Sequence, residues 1–212
     1  MTGLPPVPLV EVAAGPPSRP ARLPLTGSGG ERLASPWTHV SLGASPSGLE
    51  VLFEMTGAPP LRVTKTRPQE PVFEDECVEL FWAGGGPPGR YAEVVVNPLG
   101  TLYTARVENP DGNRRTWRVS PRPLEGVEAR VSGSPPGPAD RWERWECLLF
   151  APWAVLAPGE PPPGPGDVHR GNLFRIARGR ETRFEALSPT GRIPPDFHVP
   201  ARFGRFTFAG LL

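Results

Sequence analysis

Apolar and polar residues alternate along most of this chain with a period of two. Leu49, Val51, Phe53 and Met55 are separated by Glu50, Leu52 and Glu54, and Val127, Ala129 and Val131 by Glu128 and Arg130. Tyr103, Ala105 and Val107 share one face, and Phe174 and Ile176 flank Arg175. One apolar side and one polar side at this period describe antiparallel strands with a single wet face. Further strands are predicted at 7–13, 37–42, 61–66, 77–83, 91–97, 143–150, 183–187 and 203–208. One short helix is predicted at 151–156, with Pro152 in its first turn.

Turn signals punctuate these runs. Ser45-Pro46-Ser47-Gly48, Asn97-Pro98-Leu99-Gly100, Asn109-Pro110-Asp111-Gly112 and Ser188-Pro189-Thr190-Gly191 share the pattern Asn/Ser-Pro-x-Gly. A type I turn favours a short polar side chain first, Pro second to preset φ, and Gly fourth. The four turns therefore predict hairpins. Residues 132–140 and 157–167 are too rich in Pro and Gly for regular structure and read as exposed connections. Many short strands with turns between them predict an all-β fold, an antiparallel two-sheet β-sandwich with long Pro/Gly-rich loops and at most one or two short helices. The whole chain, 1–212, reads as a single domain, with the Pro/Gly-rich segment 1–30 packing on it.

Composition changes this picture little. Thirty-two Pro and 25 Gly make over a quarter of 212 residues, which alone would suggest disorder. Six Trp, ten Phe and 38% hydrophobic residues argue the reverse, since they supply burial against a net charge of only +1. That small charge also argues against nucleic acid as a partner. Two cysteines, Cys77 and Cys147, are too few for a disulfide framework. The N-terminus has no basic region followed by an unbroken apolar stretch, and no apolar run is long enough to span a bilayer. A cytoplasmic protein without a membrane partner is the expectation.

Catalytic motifs are absent. Gly84 to Gly89 has the spacing G-x-G-x-x-G, but two prolines and a strand follow it where a dinucleotide site needs a helix, so it reads as a hairpin loop. There is no nucleophile elbow, phosphate-binding loop or zinc motif, and His39, His169 and His198 lie far apart. The protein is expected not to be an enzyme. The acidic run from Phe73 to Glu79 is more informative. Alternation puts Asp75, Cys77, Glu79 and Phe81 on one face and Glu76, Val78, Leu80 and Trp82 on the other. Glu79 thus stands mid-strand among apolar neighbours, where an unpaired carboxylate is costly. Either an Arg from a neighbouring strand pairs with it, the plainer expectation, or that face opens into a pocket. Calcium at these acids lacks the spaced Asp/Asn loop that would support it. Most of the six Trp read as core.

Three blocks in order carry a family likeness: Phe73–Trp82, Tyr91–Arg106, and a C-terminal stretch. The last runs from Arg144-Trp145-Glu146-Cys147 through Gly171-Asn172-Leu173-Phe174-Arg175-Ile176 to Asp196-Phe197-His198-Val199-Pro200 and Phe203-Gly204. Over roughly 36–208 the chain resembles the family 9 carbohydrate-binding module and its DOMON-like relatives. The resemblance implies an antiparallel β-sandwich and non-catalytic binding of a small carbohydrate or polyol. In such modules two aromatic rings clamp a terminal sugar, and the Glu of a Val-Glu pair hydrogen-bonds its hydroxyls. Phe73 stands at the first clamp position, Glu79 matches that Glu, and Leu187 occupies the second clamp position, where a Trp is common. Phe73, Glu79 and His198 are therefore the expected ligand-binding residues. A ligand-free interaction scaffold is an alternative. Another is a b-type haem carrier, because some DOMON-like domains bind haem through Met with His or Lys; Met55, Lys65 and the three His are the available groups. No cofactor is expected, haem and calcium being the exceptions weighed.

Overall fold

The structure, a computed structural model, describes residues 4–31, 33, 37–57, 60–134, 138 and 141–211. Its strands, in chain order, are β1 (Leu9–Ala14), β2 (Leu23–Pro24), β3 (Thr26–Gly27), β4 (Thr38–Ala44) and β5 (Gly48–Thr56). They continue with β6 (Cys77–Gly84), β7 (Arg90–Val96), β8 (Leu102–Glu108), β9 (Arg118–Pro121), β10 (Glu128–Ser134) and β11 (Arg144–Pro152). A single helical turn, α1 (Trp153–Leu156), precedes β12 (Val168–Arg178), β13 (Thr182–Ala186) and β14 (Gly204–Phe208).

The strands follow one path, β10-β11-β5-β4-β1-β14-β12-β6-β7-β8-β9, with β13 beside β12. The fold is mostly β, as expected, but the sheet is mixed. β1 runs parallel to β14 through Leu9 to Val12 and parallel to β4 through Ala13 and Ala14. The alternation of Val10 and Val12 inward is the same for either direction of pairing, so the period that revealed β1 could not reveal its sense. Every other pairing among the described residues is antiparallel.

Three local expectations need correction. Residues 61–66 form no strand, because their polar backbone groups are satisfied elsewhere: Thr64 and Lys65 donate their N–H groups to the Asp75 carboxylate. Residues 132–134 do not begin a loop; they extend β10 against β11, and only 138 of the rest of that expected connection is described. The turn at Ser188 joins no hairpin. Its Thr190 and Gly191 N–H groups donate to the Ser28 carbonyl and hold the long return towards β14. The turns at Ser45, Asn97 and Asn109 do connect paired strands, β4–β5, β7–β8 and β8–β9. At the Asn97 turn Gly100 takes φ +75°, a conformation that costs glycine nothing.

The sheet curls until its two halves face each other across one core. Val40, Val51 and Phe53 from β4 and β5 and Trp145 from β11 meet Leu80 and Trp82 from β6 and Phe206 from β14. Trp153 of α1 closes that core beside them. A second apolar cluster lies on the opposite face of β6, β7, β8 and β12, where Cys77, Phe81, Tyr91, Tyr103 and Phe174 are covered by Phe197 and Phe203. The alternation of β6 separates the two. Val78, Leu80 and Trp82 enter the first cluster, and Cys77 and Phe81 enter the second.

Candidate functional site

Glu79 shares its face of β6 with Cys77 and Phe81, so the strand carries it to the second cluster, where it is 3% exposed. Directly across it stand Phe174 on β12 and Val95 on β7, and Val95 in turn faces Tyr103 on β8. On the next row Glu93 of β7 faces Phe81 and is 4% exposed. Two carboxyl groups thus sit diagonally on adjacent strands in an aromatic floor. Among the described residues neither makes an ion pair with Lys or Arg. The cation expected for Glu79 goes instead to Glu76 on the other face, where buried Arg175 donates from Nε at 2.8 Å.

A cavity of about 430 Å³ opens over this floor. Phe73 and Glu79 line it together with His198, far along the chain, and so does Glu93. Leu187 does not. It packs against the first core cluster, and Trp117, on the segment between β8 and β9, lines the cavity instead. Phe73 rides on a short 3₁₀ turn, Val72–Glu74, whose end is anchored by the buried Asp75. It is 38% exposed and packs edge-on against Tyr103 with ring centroids 5.4 Å apart.

The opposite wall is built by the 192–199 return. Phe197 stacks on Phe174 at 4.2 Å, and Asp196 accepts the His198 N–H at 3.0 Å, the local turn bond favoured by a short acidic side chain. Asn109 donates from Nδ2 to the His198 carbonyl at 2.9 Å. These contacts present the imidazole edge: Nδ1 lies 2.8 Å from the Tyr91 hydroxyl and Nε2 4.0 Å from Glu93 Oε1. Arg114 closes the rim. It donates to both Asp196 oxygens at 2.8 and 2.9 Å and lies over the Trp117 ring at 4.8 Å.

Electrostatics follow from burial. Burial, and after it the neighbouring Glu93, push the Glu79 carboxyl well above the usual carboxylate range, against a weak opposing bond from the Cys77 thiol at 3.7 Å. Burial pushes Glu93 up to about 8, with Arg114 opposing. Burial, reinforced by Arg114, pushes His198 down to about 4. At neutral pH Glu93 therefore largely keeps its proton, Glu79 is biased the same way, and the imidazole is neutral. The floor offers O–H donors and oxygen acceptors side by side, suited to hydroxyl groups.

Other groups weighed from the sequence lie elsewhere. Met55 is buried in the first core cluster, and Lys65 pairs with Glu74 at 2.8 Å. Among the described residues no three His, Cys, Asp or Glu side chains gather as a metal site. Nor is any helix among them long and apolar enough to cross a membrane.

A family model described as carbohydrate-binding family 9 matches residues 51–208. No curated protein matches significantly. Among solved structures, a proposed carbohydrate-binding protein from Bacteroides uniformis aligns at 18% identity with a TM-score of 0.72, over 94% of this chain and 99% of its own. A family 9 module from Caldicellulosiruptor kristjanssonii, solved with glucose, aligns at 12% identity with a TM-score of 0.61, over 96% and 97%. The module solved with cellotriose gives 13% identity and 0.57, over 96% and 95%. At these identities the structural likeness is one of fold.

Proposed function

The chain belongs to carbohydrate-binding family 9, and from that premise we propose that its cavity binds a small saccharide without breaking bonds in it. One observation carries the reading. Two buried carboxyls, Glu79 and Glu93, face a cavity rimmed by the partly exposed ring of Phe73, and among the described residues neither is paired with a Lys or Arg. A sugar offers what such a site lacks, hydroxyls for the polar floor and C–H faces for aromatic rings. The family 9 module solved with glucose and cellotriose lends the same direction to ligand class. In this reading the curled sheet is two antiparallel layers joined through β1, acting as one domain, and the cavity opens on the outer face of one layer.

Trp117 lines the cavity, so its fluorescence reports occupancy. Titration with glucose, cellobiose and cellotriose should give a saturable change, weakened at least about tenfold in Glu79→Ala, as expected for losing one charge-assisted or buried hydrogen-bonding group. A flat response across a broad panel of mono- and disaccharides, with calorimetry equally silent, would overturn the proposal.

A further inference from the structure

We propose that the preferred saccharide carries a protonated amine, held between Glu79 and Glu93. The inference rests on the saccharide reading above and names the class of sugar. Among the described residues the two glutamates have no Lys or Arg paired to them. β6 brings Glu79 to the cavity, with the buried Cys77 thiol against it; β7 brings Glu93, with the Tyr91 hydroxyl behind His198; β8 brings Tyr103. β12 and β13 contribute the apolar Ile176 and Phe184. The loops contribute Asp196, His198 and Arg114. Among the described residues that line the cavity the one permanent cation is Arg114; it already donates to both Asp196 oxygens and lies over Trp117, so it opposes the charge on Glu93 only from a distance and pairs with neither glutamate.

A carboxyl pair that is buried without a cation retains protons because a proton is the smallest cation available to it. An ammonium group delivered by a ligand supplies the same compensation with better reach, donating a charge-assisted hydrogen bond to the carboxylate whose proton it displaces and a second hydrogen bond to the neighbouring carboxyl oxygen. The surrounding rings favour it again. Phe73, Tyr103 and Trp117 present π systems that attract a cation wherever their faces turn to the cavity. A neutral sugar draws on the hydroxyl-binding capacity alone. The linkage has a definite sign: ammonium must displace a proton from the pair, so binding tightens as pH rises, up to the point where the amine loses its own proton.

Calorimetric titrations with glucosamine, N-acetylglucosamine, glucose and ethanolamine at pH 5 and pH 7 test this. The expected result is glucosamine binding at least about tenfold tighter than glucose at pH 7, with N-acetylglucosamine no tighter than glucose. The glucosamine Kd should fall several-fold from pH 5 to 7 with release of protons to the buffer, while the neutral sugars stay nearly constant. Glu93→Gln, which keeps the shape and the neutral hydrogen bonding, should bring the glucosamine-to-glucose ratio close to one. Glucose binding with glucosamine no tighter would overturn the inference and leave the saccharide reading standing. Silence from every sugar would remove both. Equal binding of ethanolamine would also overturn it, by showing that the sugar ring contributes nothing.

Discussion

Glu93 sets a pH dependence that can be read on folding alone. Its carboxyl sits at about 8 in the fold against an ordinary value of 4.5, and Glu79 is shifted in the same direction. Above the ordinary value the unfolded chain has lost protons that the native state still holds, so stability falls as pH rises through the folded value. His198 works oppositely: held at about 4 against 6.5, it withdraws stability as pH falls below 6.5. From about pH 7.5 to 8, a unit past that ordinary value, the histidine is nearly all neutral in both states, and the buried carboxyls govern. The parent Tm should decline over that range, and Glu93→Gln should remove up to ~1.4 kcal/mol per pH unit of the decline. Equal slopes in both proteins, followed by circular dichroism, would show that Glu93 ionises freely in the fold. Glu79 was legible because Val78 and Leu80 flank it in a strand. Glu93, between Ala92 and Val94, carries the same signal, which the sequence reading leaves unused. Arg114 and Trp117 carry none. They lie on a loop without periodicity, and their placement depends on Asp196 and His198, far along the chain.

At the scale of elements, the segment from 61 to 76 carries the first aromatic of the rim without being a strand. Val63 and the residues around it alternate well enough to suggest one, but Asp75 competes for the backbone. Its carboxylate accepts the Thr64 N–H at 2.9 Å, the Thr64 hydroxyl at 2.7 Å, the Lys65 N–H at 2.8 Å and Asn97 Nδ2 at 3.2 Å. Burial alone would raise that carboxyl, yet these bonds hold it below its ordinary value. Asn97 belongs to the turn between β7 and β8, so one carboxylate ties the Phe73 segment to a hairpin. Side-chain capture of backbone N–H groups leaves no periodic trace, whereas the Asn/Ser-Pro-x-Gly turns did, because their chemistry is local. Asp75→Ala strands several donors at once and should lower stability by roughly 3 kcal/mol in urea unfolding. Sugar affinity should weaken with it as the Phe73 turn loosens, while hydrogen exchange rises in 61–76 before it rises in β6. Uniform exchange across both would show that Asp75 does not anchor this segment separately.

At the scale of the whole molecule, alternation and turns foretold a β protein but not how its halves join. β1 enters between β4 and β14 as a parallel strand, and direction has no signature in a pattern of period two. The halves are also pinned by a buried polar cluster. Glu76, just before β6, accepts from Arg175 Nε on β12 at 2.8 Å, from Trp145 Nε1 on β11 at 3.1 Å and from the Arg178 N–H at 2.6 Å. Arg175 Nη1 reaches the Thr56 carbonyl on β5 at 2.7 Å and the Thr38 hydroxyl on β4 at 3.3 Å. Strands from both halves thus converge on one ion pair that water does not reach. Removing the guanidinium alone would leave the Glu76 charge and a strand-end carbonyl buried without partners. Arg175→Met should therefore cost roughly 3–5 kcal/mol. Replacing both charges, in Glu76→Gln with Arg175→Met, should cost less than the two single changes summed, because no unpaired charge then remains. Additive single effects in that cycle would mean that the residues act separately, and the joint between the halves would then rest on β1 and apolar packing.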